Sequence, residues 1–446
     1  MKQIDLPAAA EEILRTIWQA GYEAYIVGGC VRDASMGRVP SDWDITTSAG
    51  PEEVKKLFRR TLDTGIKHGT VTVMVGSEGF EVTTYRIDGE YLDGRHPKEV
   101  TFTASLEEDL KRRDFTINAM AYNPERGLVD LFGGQEDLEK KVIRCVGDPK
   151  ERFSEDALRM MRAARFAAQL GFSIDEGTKE AMKELAPTLK KVSAERIQAE
   201  LVKLLTSEHP DEFRTLYETG LTAVFLPEFD ACMNTPQNSP HHVYNVGDHT
   251  LKAMEGVRAD KVLRLAMLLH DMGKAVTRTT DENGRDHFRG HARVSEEMAK
   301  KILHRLKFDN ATTTAVCRMV KYHDWQIHSA ETEYYLRLAL HQIGKDAFPD
   351  IFEVNRADVM AQSDLWRDEK LSRINRLEEL YHSVLDQGQC VTKEELALNG
   401  KELIELGVKP GPAMGKILDR MLESVLEDPA RNTREYLTSH LESFLS

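Results

Sequence analysis

The sequence predicts an α+β protein, in which a mixed α/β head at the N-terminal end is followed by an all-helical remainder. Two observations lead to this fold class. Short runs rich in β-branched and aromatic residues, bounded by Gly, Ser or Pro, are concentrated in the first 148 residues. After residue 149 such runs almost vanish, and successive helices are predicted. We expect four domains, which are a head at 1–148, a neck at 149–210, a helical body at 211–368 and a helical tail at 369–446.

The composition of the 446-residue chain is that of an ordinary globular protein. Hydrophobic residues at 41% and charged residues at 30% exclude a disordered chain. The 60 basic and 74 acidic residues leave a net charge of −14. This balance argues against a protein coated in positive charge, the simplest kind of nucleic-acid binder.

The sequence also predicts where the protein works. We find no apolar signal segment at the N-terminus and no stretch approaching about 18 consecutive apolar residues, so we expect neither secretion nor a membrane partner. The five cysteines lie far apart and never form a C-x-x-C pair. An odd number of scattered cysteines excludes a disulfide framework and favours the reducing cytoplasm.

The predicted elements of the head come first along the chain. Its helical segments are PEEVKKLF and SLEEDLKRR, and its strand segments are AYIVGG, DWDITT, TVTVMV, FEVTTYR and VIRCV. The segment SEDALRMMRAARFAAQLGF then predicts one long helix, with Ser154 as its N-cap and Gly171 as its stop. Further helices follow to the end of the chain, and the loop CMNTPQNSPHHVYN divides them.

A glycine pair, Gly28 and Gly29, follows the first predicted strand and precedes Arg32. Glycines at the end of a strand let backbone N–H groups approach an anion closely, and a guanidinium group adds a fixed positive fork. A plain turn is the ordinary alternative for such a pair.

Two carboxylates follow closely. Asp42 and Asp44 are two residues apart, so on a strand both side chains project from the same face. Carboxylates that close repel each other unless a cation lies between them, and their hard oxygens suit Mg²⁺. Glu81 could add a third carboxylate from a neighbouring strand, although an exposed strand glutamate is nearly as good an interpretation. Beside a glycine-rich anion loop, the pair predicts metal-assisted phosphoryl or nucleotidyl transfer.

These motifs carry a resemblance to a known family. GGCVRD followed by PSDWDIT is similar to the nucleotidyltransferase signature of the class II CCA-adding enzymes and bacterial poly(A) polymerases. The similarity spans about the first 210 residues and continues in order through RRDFTINAMAY (112–122), DLFGGQEDLEKKVIR (130–144), SEDALRMMRAARF (154–166) and VSAERIQAELVKLL (192–205). It implies in-line attack of a tRNA 3′-hydroxyl on CTP or ATP, with Asp42 and Asp44 as the catalytic residues that hold Mg²⁺.

The resemblance also implies a nucleotide pocket. Asp156 and Arg159, three residues apart on the predicted helix, would together recognise C and A, because a carboxylate accepts the exocyclic amine and a guanidinium donates to the ring nitrogen. G and U would leave the carboxylate unpaired. A solvated face paired with acids is the alternative for the arginines that continue this stripe. By resemblance the other nucleotide-binding residues are Gly29, Arg32, Arg113, Arg162 and Arg165, while Asp114 and Asn118 organise the pocket.

Residues 86–112 resemble, in their first half, a flexible loop of this family. Enzymes that complete CCA keep the loop, whereas relatives that add only CC are shortened there. The loop is whole in this chain, which favours addition of all three nucleotides, and Arg95 is expected to matter more for A than for C. A mobile surface loop without this role is the simpler interpretation.

The helical body contains a second resemblance. The apolar run LRLAMLLHDMGKAVTR includes His270 and Asp271, with His249 upstream and Asp358 downstream. This order is similar to the HD phosphohydrolase superfamily and implies a second divalent metal (Ni, Co or Mn) bound by these four residues. The nearby residues that are candidates to enlarge the site, each also explicable as a surface residue, are His287, His291, His323 and Asp324.

Near the C-terminal end, the turn KPGPAMGK places Gly411 and Pro412 before a predicted helix. Its N–H groups, with Lys409 and Lys416, could hold a tRNA phosphate. An ordinary helix–turn–helix is at least as good an interpretation.

The function expected from the sequence is template-independent addition of CCA to tRNA in the cytoplasm, with a possible hydrolase activity in the HD domain. The partners expected are tRNA, CTP and ATP, with no membrane and no obligate protein partner. One alternative is a poly(A) polymerase of the same class, although the chain has no basic tail. The other is a metal phosphohydrolase whose head only binds tRNA. The negative charge excludes a generic polyanion binder but not an enzyme that binds tRNA by shape along a local basic track.

Overall fold

The structure is a computed structural model that describes residues 4–88, 100–325 and 332–445. It divides into two compact units, Met1–Asp230 and Ala231–Ser446. The first unit contains a seven-stranded sheet followed by helices, and the second is mostly helical. This organisation confirms the α+β fold class. The four domain boundaries expected within the two units stay predictions.

The strands are short and concentrated in the head. In chain order they are β1 (Ala24–Val27), β2 (Ile45–Thr47), β3 (Thr61–Gly65), β4 (Thr70–Val75), β5 (Glu78–Thr84), β6 (Arg86–Asp88), β7 (Val100–Phe102), β8 (Met120–Asn123), β9 (Gly127–Asp130), β10 (Val142–Ile143), β11 (Ser173–Ile174), β12 (Thr279–Thr280) and β13 (Asp286–His287). The head sheet has the order β3-β4-β5-β2-β1-β8-β9, and its β2 runs antiparallel to β1 but parallel to β5.

The helices of the first unit surround and follow this sheet. They are α1 (Ala8–Gln19), α2 (Gly29–Ser35), α3 (Pro51–Leu57), α4 (Leu106–Lys111), α5 (Gly134–Lys140), α6 (Pro149–Glu155), α7 (Leu158–Leu170), α8 (Glu176–Leu185), α9 (Ala194–Leu205), α10 (Phe213–Glu218) and α11 (Thr222–Phe225). Those that follow are α12 (Pro227–Met233), α13 (Val246–Glu255), α14 (Lys261–Leu269), α15 (Lys274–Thr277), α16 (His291–Arg305), α17 (Asn310–Tyr322), α18 (Glu333–Ile343), α19 (Phe348–Met360), α20 (Arg367–Asp386), α21 (Gly400–Glu405), α22 (Pro412–Glu427), α23 (Arg434–Ser439) and α24 (Leu441–Leu445).

The apolar pattern of the central strands explains why the head sheet is buried. All four residues of β1 are buried, as expected for a strand covered on both faces. Ile13 and Ile17 of α1 belong to the larger of two apolar clusters, and Tyr85 and Leu110 belong to the other. The sheet is therefore a rigid support for the residues at the ends of its strands.

The second unit is built around an apolar helix. Seven of the nine residues of α14 are buried, so this helix lies inside the unit and the residue that follows it, His270, is buried too. Within the described ranges, each helix is too short or too polar to cross a bilayer.

The structure corrects two expectations about local structure. DWDITT forms a strand only over Ile45–Thr47, so Asp42 and Asp44 lie in the loop that leads into β2 and not on the strand itself. The long helix expected from Ser154 to Gly171 is two helices, α6 and α7. Asp148 caps the first of them, while Gly171 ends the second with a φ of 68°, as predicted.

Candidate active site and candidate metal centre

Three carboxylates meet at one end of the head sheet. Asp44 directly precedes β2, whose residue Ile45 pairs with Val82 of β5, so Asp44 and Glu81 lie at neighbouring positions. Asp44 keeps contact with solvent, but the protein around it displaces part of its hydration shell. This desolvation, together with the negative charges of Asp42 and Glu81, raises the pKa of Asp44 to about 6. Crowded carboxylate oxygens of this kind fit a bound Mg²⁺.

A glycine brings an arginine close to these acids. Gly28 has a φ of 84°, and a Cβ at this position would lie 3.0 Å from Nη1 of Arg113. The positive charge of Arg113 opposes the rise in the pKa of Asp44 but does not cancel it. The N–H of Gly28 donates to the carbonyl of Met120 at 3.2 Å. Glycine at position 28 therefore leaves room for the side chain of Arg113. The N–H of Gly28 is already hydrogen-bonded to the carbonyl of Met120.

Arg32 is the first member of a buried chain of polar contacts. Its Nε and Nη2 donate to the carboxylate of Asp33 at 2.9 and 3.0 Å, and its Nη1 donates to Oδ1 of Asn118 at 2.7 Å. The amide of Asn118 donates to Asp114 at 3.3 Å. Asp114 accepts from Nε of Arg162 at 2.8 Å, so this chain of contacts connects α2 to α7.

The arginine residues of this chain surround one aromatic ring. The guanidinium carbons of Arg32, Arg162 and Arg165 lie 5.1, 5.3 and 3.9 Å from the ring centroid of Phe166, a geometry of cation–π attraction. Arg165 also pairs with Glu200 at 2.5 Å. The arginines are thus paired with acids, as the interpretation of a solvated helix face expected. They surround a buried ring, however, and do not lie on a solvated face.

The charges of this cluster compensate one another. Burial alone would raise the pKa of Asp114, but the guanidinium groups of Arg162 and Arg159 outweigh it and lower that pKa to about 2. Burial lowers the pKa of Arg165, although Glu200 opposes the shift. The acids therefore hold the guanidinium groups of the cluster in fixed positions.

The two residues expected to recognise the base have separate partners. Asp156 lies at the break between α6 and α7, where its Oδ1 accepts the N–H of Leu158 at 3.0 Å and its Oδ2 accepts from Arg196 at 2.6 Å. Arg159 pairs with Glu155 at 2.5 Å and donates to the carbonyl of Arg112 at 3.1 Å. The expectation that both side chains lie on one helix is therefore wrong, because Asp156 has an extended backbone. Their role in base recognition stays a prediction.

Sequence reasoning missed three residues of this cluster, which are Phe166, Arg196 and Glu200. The signal was present: Arg196 and Glu200 lie four residues apart in VSAERIQAELVKLL, on the same face of α9. What the sequence could not show is that this face meets α7.

The second unit holds a compact group of potential metal ligands, His249, His270, Asp271 and Asp358, which come from α13, the end of α14 and α19. One ligand atom from each lies within 4.8 Å of the others, and all four residues are buried. His249 Nε2 is 2.8 Å from Oδ1 of Asp358, and His270 Nε2 is 3.1 Å from Oδ2 of Asp271. The structure thus brings together the four residues that the HD resemblance selected.

Backbone carbonyls orient the rings of this group. His249 Nδ1 is 3.2 Å from the carbonyl of Ala361, and His270 Nδ1 is 2.7 Å from that of Met267. A ring whose Nδ1–H is held by a carbonyl presents a neutral Nε2 to a metal. Burial alone would lower the pKa of His270, but Asp271 and Asp358 outweigh it and raise that pKa to about 10.

A second group shares Asp271 with the first. Asp271, His291 and His323 also place ligand atoms within 4.8 Å of one another. Oδ1 of Asp271 lies 3.4 Å from His291 Nε2 and 3.6 Å from His323 Nε2, while its Oδ2 faces the first group. Asp271 is therefore placed as a bridge between two sets of ligands, and the buried Nζ of Lys274 lies 2.7 Å from its Oδ2.

The other nearby residues behave differently. His287 pairs with Asp281 at 2.9 Å and belongs to neither group. Asp324 lies 4.0 Å from His291 Nε2, at the margin of the second group. A cavity of about 310 Å³ opens on these ligands, and its wall includes His241, His242 and Lys274.

Two further expectations concern segments outside these sites. Arg95 and most of the predicted specificity loop lie outside the described residues. In the tail, α22 begins at Pro412 after Gly411, as the turn predicts, and the contact of Lys409 and Lys416 with tRNA stays a prediction.

Four families match parts of the chain, and the last two matches overlap over residues 287–332. Residues 24–144 match the Poly A polymerase head domain, and residues 171–233 match a family described as "Probable RNA and SrmB- binding site of polymerase A". Residues 241–332 match the HD domain, and residues 287–441 match tRNA nucleotidyltransferase domain 2.

Relatives match over nearly the full length. The CCA-adding enzyme of Lactobacillus helveticus is 36% identical over 442 residues, which cover 98% of this chain and 97% of the relative. That of Levilactobacillus brevis is 38% identical, with 96% of each chain covered. Among solved structures, the CCA-adding enzyme of Bacillus stearothermophilus in complex with CTP matches with a TM-score of 0.72 at 31% identity, covering 97% of this chain and 96% of that one. The chain belongs to the family of CCA-adding enzymes.

Proposed function

We propose that this protein adds C, C and A to the 3′ end of tRNA, using CTP and ATP and no nucleic-acid template. The observation that carries the proposal is the crowded carboxylate group of Asp42, Asp44 and Glu81 beside the arginine cluster around Phe166. Because tRNA, CTP and ATP all occur in the cytoplasm, we also place the protein there.

The chemistry is transfer of a nucleotidyl group. The 3′-oxygen of tRNA forms a bond with the α-phosphorus, the bond from that phosphorus to the bridging oxygen breaks, pyrophosphate leaves, and the hydroxyl proton is released to solvent. Asp42 and Asp44, with Glu81 beside them, would hold Mg²⁺. When bound, Mg²⁺ activates the hydroxyl and neutralises the charge that develops on the phosphates.

The remaining residues bind and select the nucleotide. Arg32, Arg113, Arg162 and Arg165 supply positive charge for the triphosphate, which suits their planar donors. Asp156 keeps lone pairs beyond those used by Arg196 and Leu158, so it can still accept the exocyclic amine of C or A.

The test is to incubate tRNA lacking CCA with CTP and ATP, separately and together. We expect CC from CTP alone and complete CCA from both, whereas long tails from ATP alone would indicate the poly(A) polymerase alternative. Asp42→Asn should abolish addition while tRNA still binds, and Glu78→Gln, an exposed acid of the same sheet, serves as the control. Normal addition by Asp42→Asn would refute the catalytic assignment.

A second candidate function is favoured by the two ligand groups that share Asp271. We propose that they hold two divalent metal ions, with Ni²⁺, Co²⁺ or Mn²⁺ suited to their imidazole and carboxylate ligands. Such metals, when bound, generate a hydroxide near neutral pH. Lys274 lies beside the same carboxylate and can bind a phosphate oxygen. The resulting activity would be hydrolysis of phosphate esters, including 2′,3′-cyclic nucleotides.

Metal content and hydrolysis test this second function separately. After loading with Mn²⁺, Co²⁺ or Ni²⁺, we expect about two ions per chain by elemental analysis and hydrolysis of 2′,3′-cyclic AMP. His323→Ala should lower the metal content by about one ion, and His287→Ala, whose ring lies outside both groups, should not. If the protein hydrolyses no substrate with any of these metals or with Mg²⁺, the role of the HD domain is structural only.

A further inference from the structure

Trp366 has an unusual backbone conformation for its residue type. It directly precedes α20 with a φ of 61°, in the left-handed region that bulky residues rarely adopt. Its side chain is not buried to compensate, since the residue is 44% exposed. A strained and exposed tryptophan of this kind needs surroundings that hold it in place, and such positions are concentrated at functional sites.

The surroundings are two loops joined by hydrogen bonds. The N–H of Ser363 donates to the carbonyl of His241 at 2.9 Å, and its hydroxyl donates to the carbonyl of Pro240 at 2.7 Å. Arg367 donates to the carbonyl of Gln362 at 2.9 Å, which closes the loop before α20. The indole of Trp366 packs on the imidazole of His241 with ring centroids 4.8 Å apart and planes inclined by 36°.

This ring pair adjoins the cavity over the metal ligands. His241 and Gln362 both line that cavity, together with His242, Lys274 and Asp358. The imidazole of His241 therefore belongs both to the cavity wall and to the stack with Trp366.

The cavity and the ring beside it differ in chemistry. The cavity offers metal ligands and the ammonium group of Lys274, which suit a phosphate group. Next to His241 of the cavity wall lies the flat, partly exposed indole of Trp366, and aromatic side chains of this kind stack on nucleobases with little preference among them.

We infer that Trp366, supported by His241, is a stacking surface for a nucleobase, so that the cavity selects nucleoside phosphate esters over phosphate esters without a base. The inference rests on the proposed phosphohydrolase function. Trp366 acts here as a specificity-determining residue, since it is placed to contact the base and not the reacting phosphate.

The test compares two substrates that share one phosphodiester. These are 2′,3′-cyclic AMP and its analogue without the base, 1,4-anhydroribitol 2,3-cyclic phosphate, each assayed with the Mn²⁺-loaded full-length protein. We expect the ratio of kcat/KM for the two substrates to fall about tenfold in Trp366→Ala, as loss of one stacked base predicts. Trp366→Phe should keep much of the preference because it retains an aromatic face.

Leu365→Ala is the matched control, because this neighbouring residue is 45% exposed but offers no aromatic ring. An unchanged ratio in Trp366→Ala, with both substrates hydrolysed, would overturn the inference and leave the hydrolase function intact. If the wild type hydrolyses neither substrate, the hydrolase function fails. Whether Trp366 stacks on a base is then tested by the affinity of the protein for 2′-AMP. In calorimetry with CTP saturating the head, Trp366→Ala should weaken that binding about tenfold, and equal affinity would overturn the inference.

Discussion

At the scale of single residues, the head shows how buried charges are made tolerable. Asp114 is surrounded by guanidinium groups, which is why its pKa lies near 2 despite burial. Each guanidinium of the cluster also has a carboxylate or a ring face as its partner. Breaking one such pair leaves a buried charge uncompensated, which costs more than the pair itself stabilises.

Arg196 is the residue whose role is most directly testable. Its hydrogen bond to Oδ2 of Asp156, at 2.6 Å, fixes the carboxylate proposed to recognise C and A. Arg196→Gln should therefore let Asp156 rotate and reduce discrimination against UTP and GTP about tenfold, the effect expected for losing a hydrogen bond to a charged group. The measurement is kcat/KM for each of the four nucleotides with tRNA lacking CCA.

The control for this prediction is Lys203→Gln, an exposed change on the same helix. Arg196→Lys, which keeps the charge, should restore part of the discrimination. If Arg196→Gln slows all four nucleotides by the same factor, Arg196 only stabilises the fold and does not position Asp156.

At the scale of elements, the sequence predicted the helices α3 and α4 and the strands β1, β4 and β5 well, because each has a clear pattern and clear boundaries. The break between α6 and α7 was not predictable in the same way. Apolar residues continue across it, and Ser154 followed by acids is a good N-cap signal. The actual break is stabilised by contacts far along the chain, including the bond from Arg196 to Asp156.

The turn after β1 provides a prediction at this scale. Gly28→Ala adds a Cβ that would meet Nη1 of Arg113 at 3.0 Å, on a backbone with a φ of 84°. A backbone with φ 84° and ψ −134° is a conformation that residues other than glycine rarely adopt, so the substitution should cost about 1–3 kcal/mol of stability. Displacement of Arg113 should in addition lower the rate of nucleotide addition. The measurements are urea denaturation and CTP incorporation.

Gly21→Ala is a matched control, since Gly21 has a similar φ of 88° but nothing within 4 Å of its added Cβ. It should show the loss of stability without the loss of activity. Equal activity of the two variants would contradict the close approach of Arg113 as the reason for glycine at position 28.

At the scale of the whole molecule, the order of motifs predicted the family, because several segments match in succession. The second ligand group was much harder to predict. Its residues span positions 271 to 323, and each histidine alone is compatible with a surface position. Only the packing of α16 and α17 around the end of α14 shows that His291 and His323 face Asp271 while His287 does not.

The two units carry separate candidate sites, which leads to a prediction about stability. A metal that binds the native ligand groups but not the unfolded chain stabilises the second unit by about 2.7 kcal/mol at 100 times its Kd. Adding Mn²⁺ should therefore raise the melting temperature of one transition in calorimetry. Asp271→Asn should remove this shift yet keep CCA addition, and Asp42→Asn should do the reverse. If Asp271→Asn abolished CCA addition while its calorimetric transitions remained intact, the two sites would not be independent.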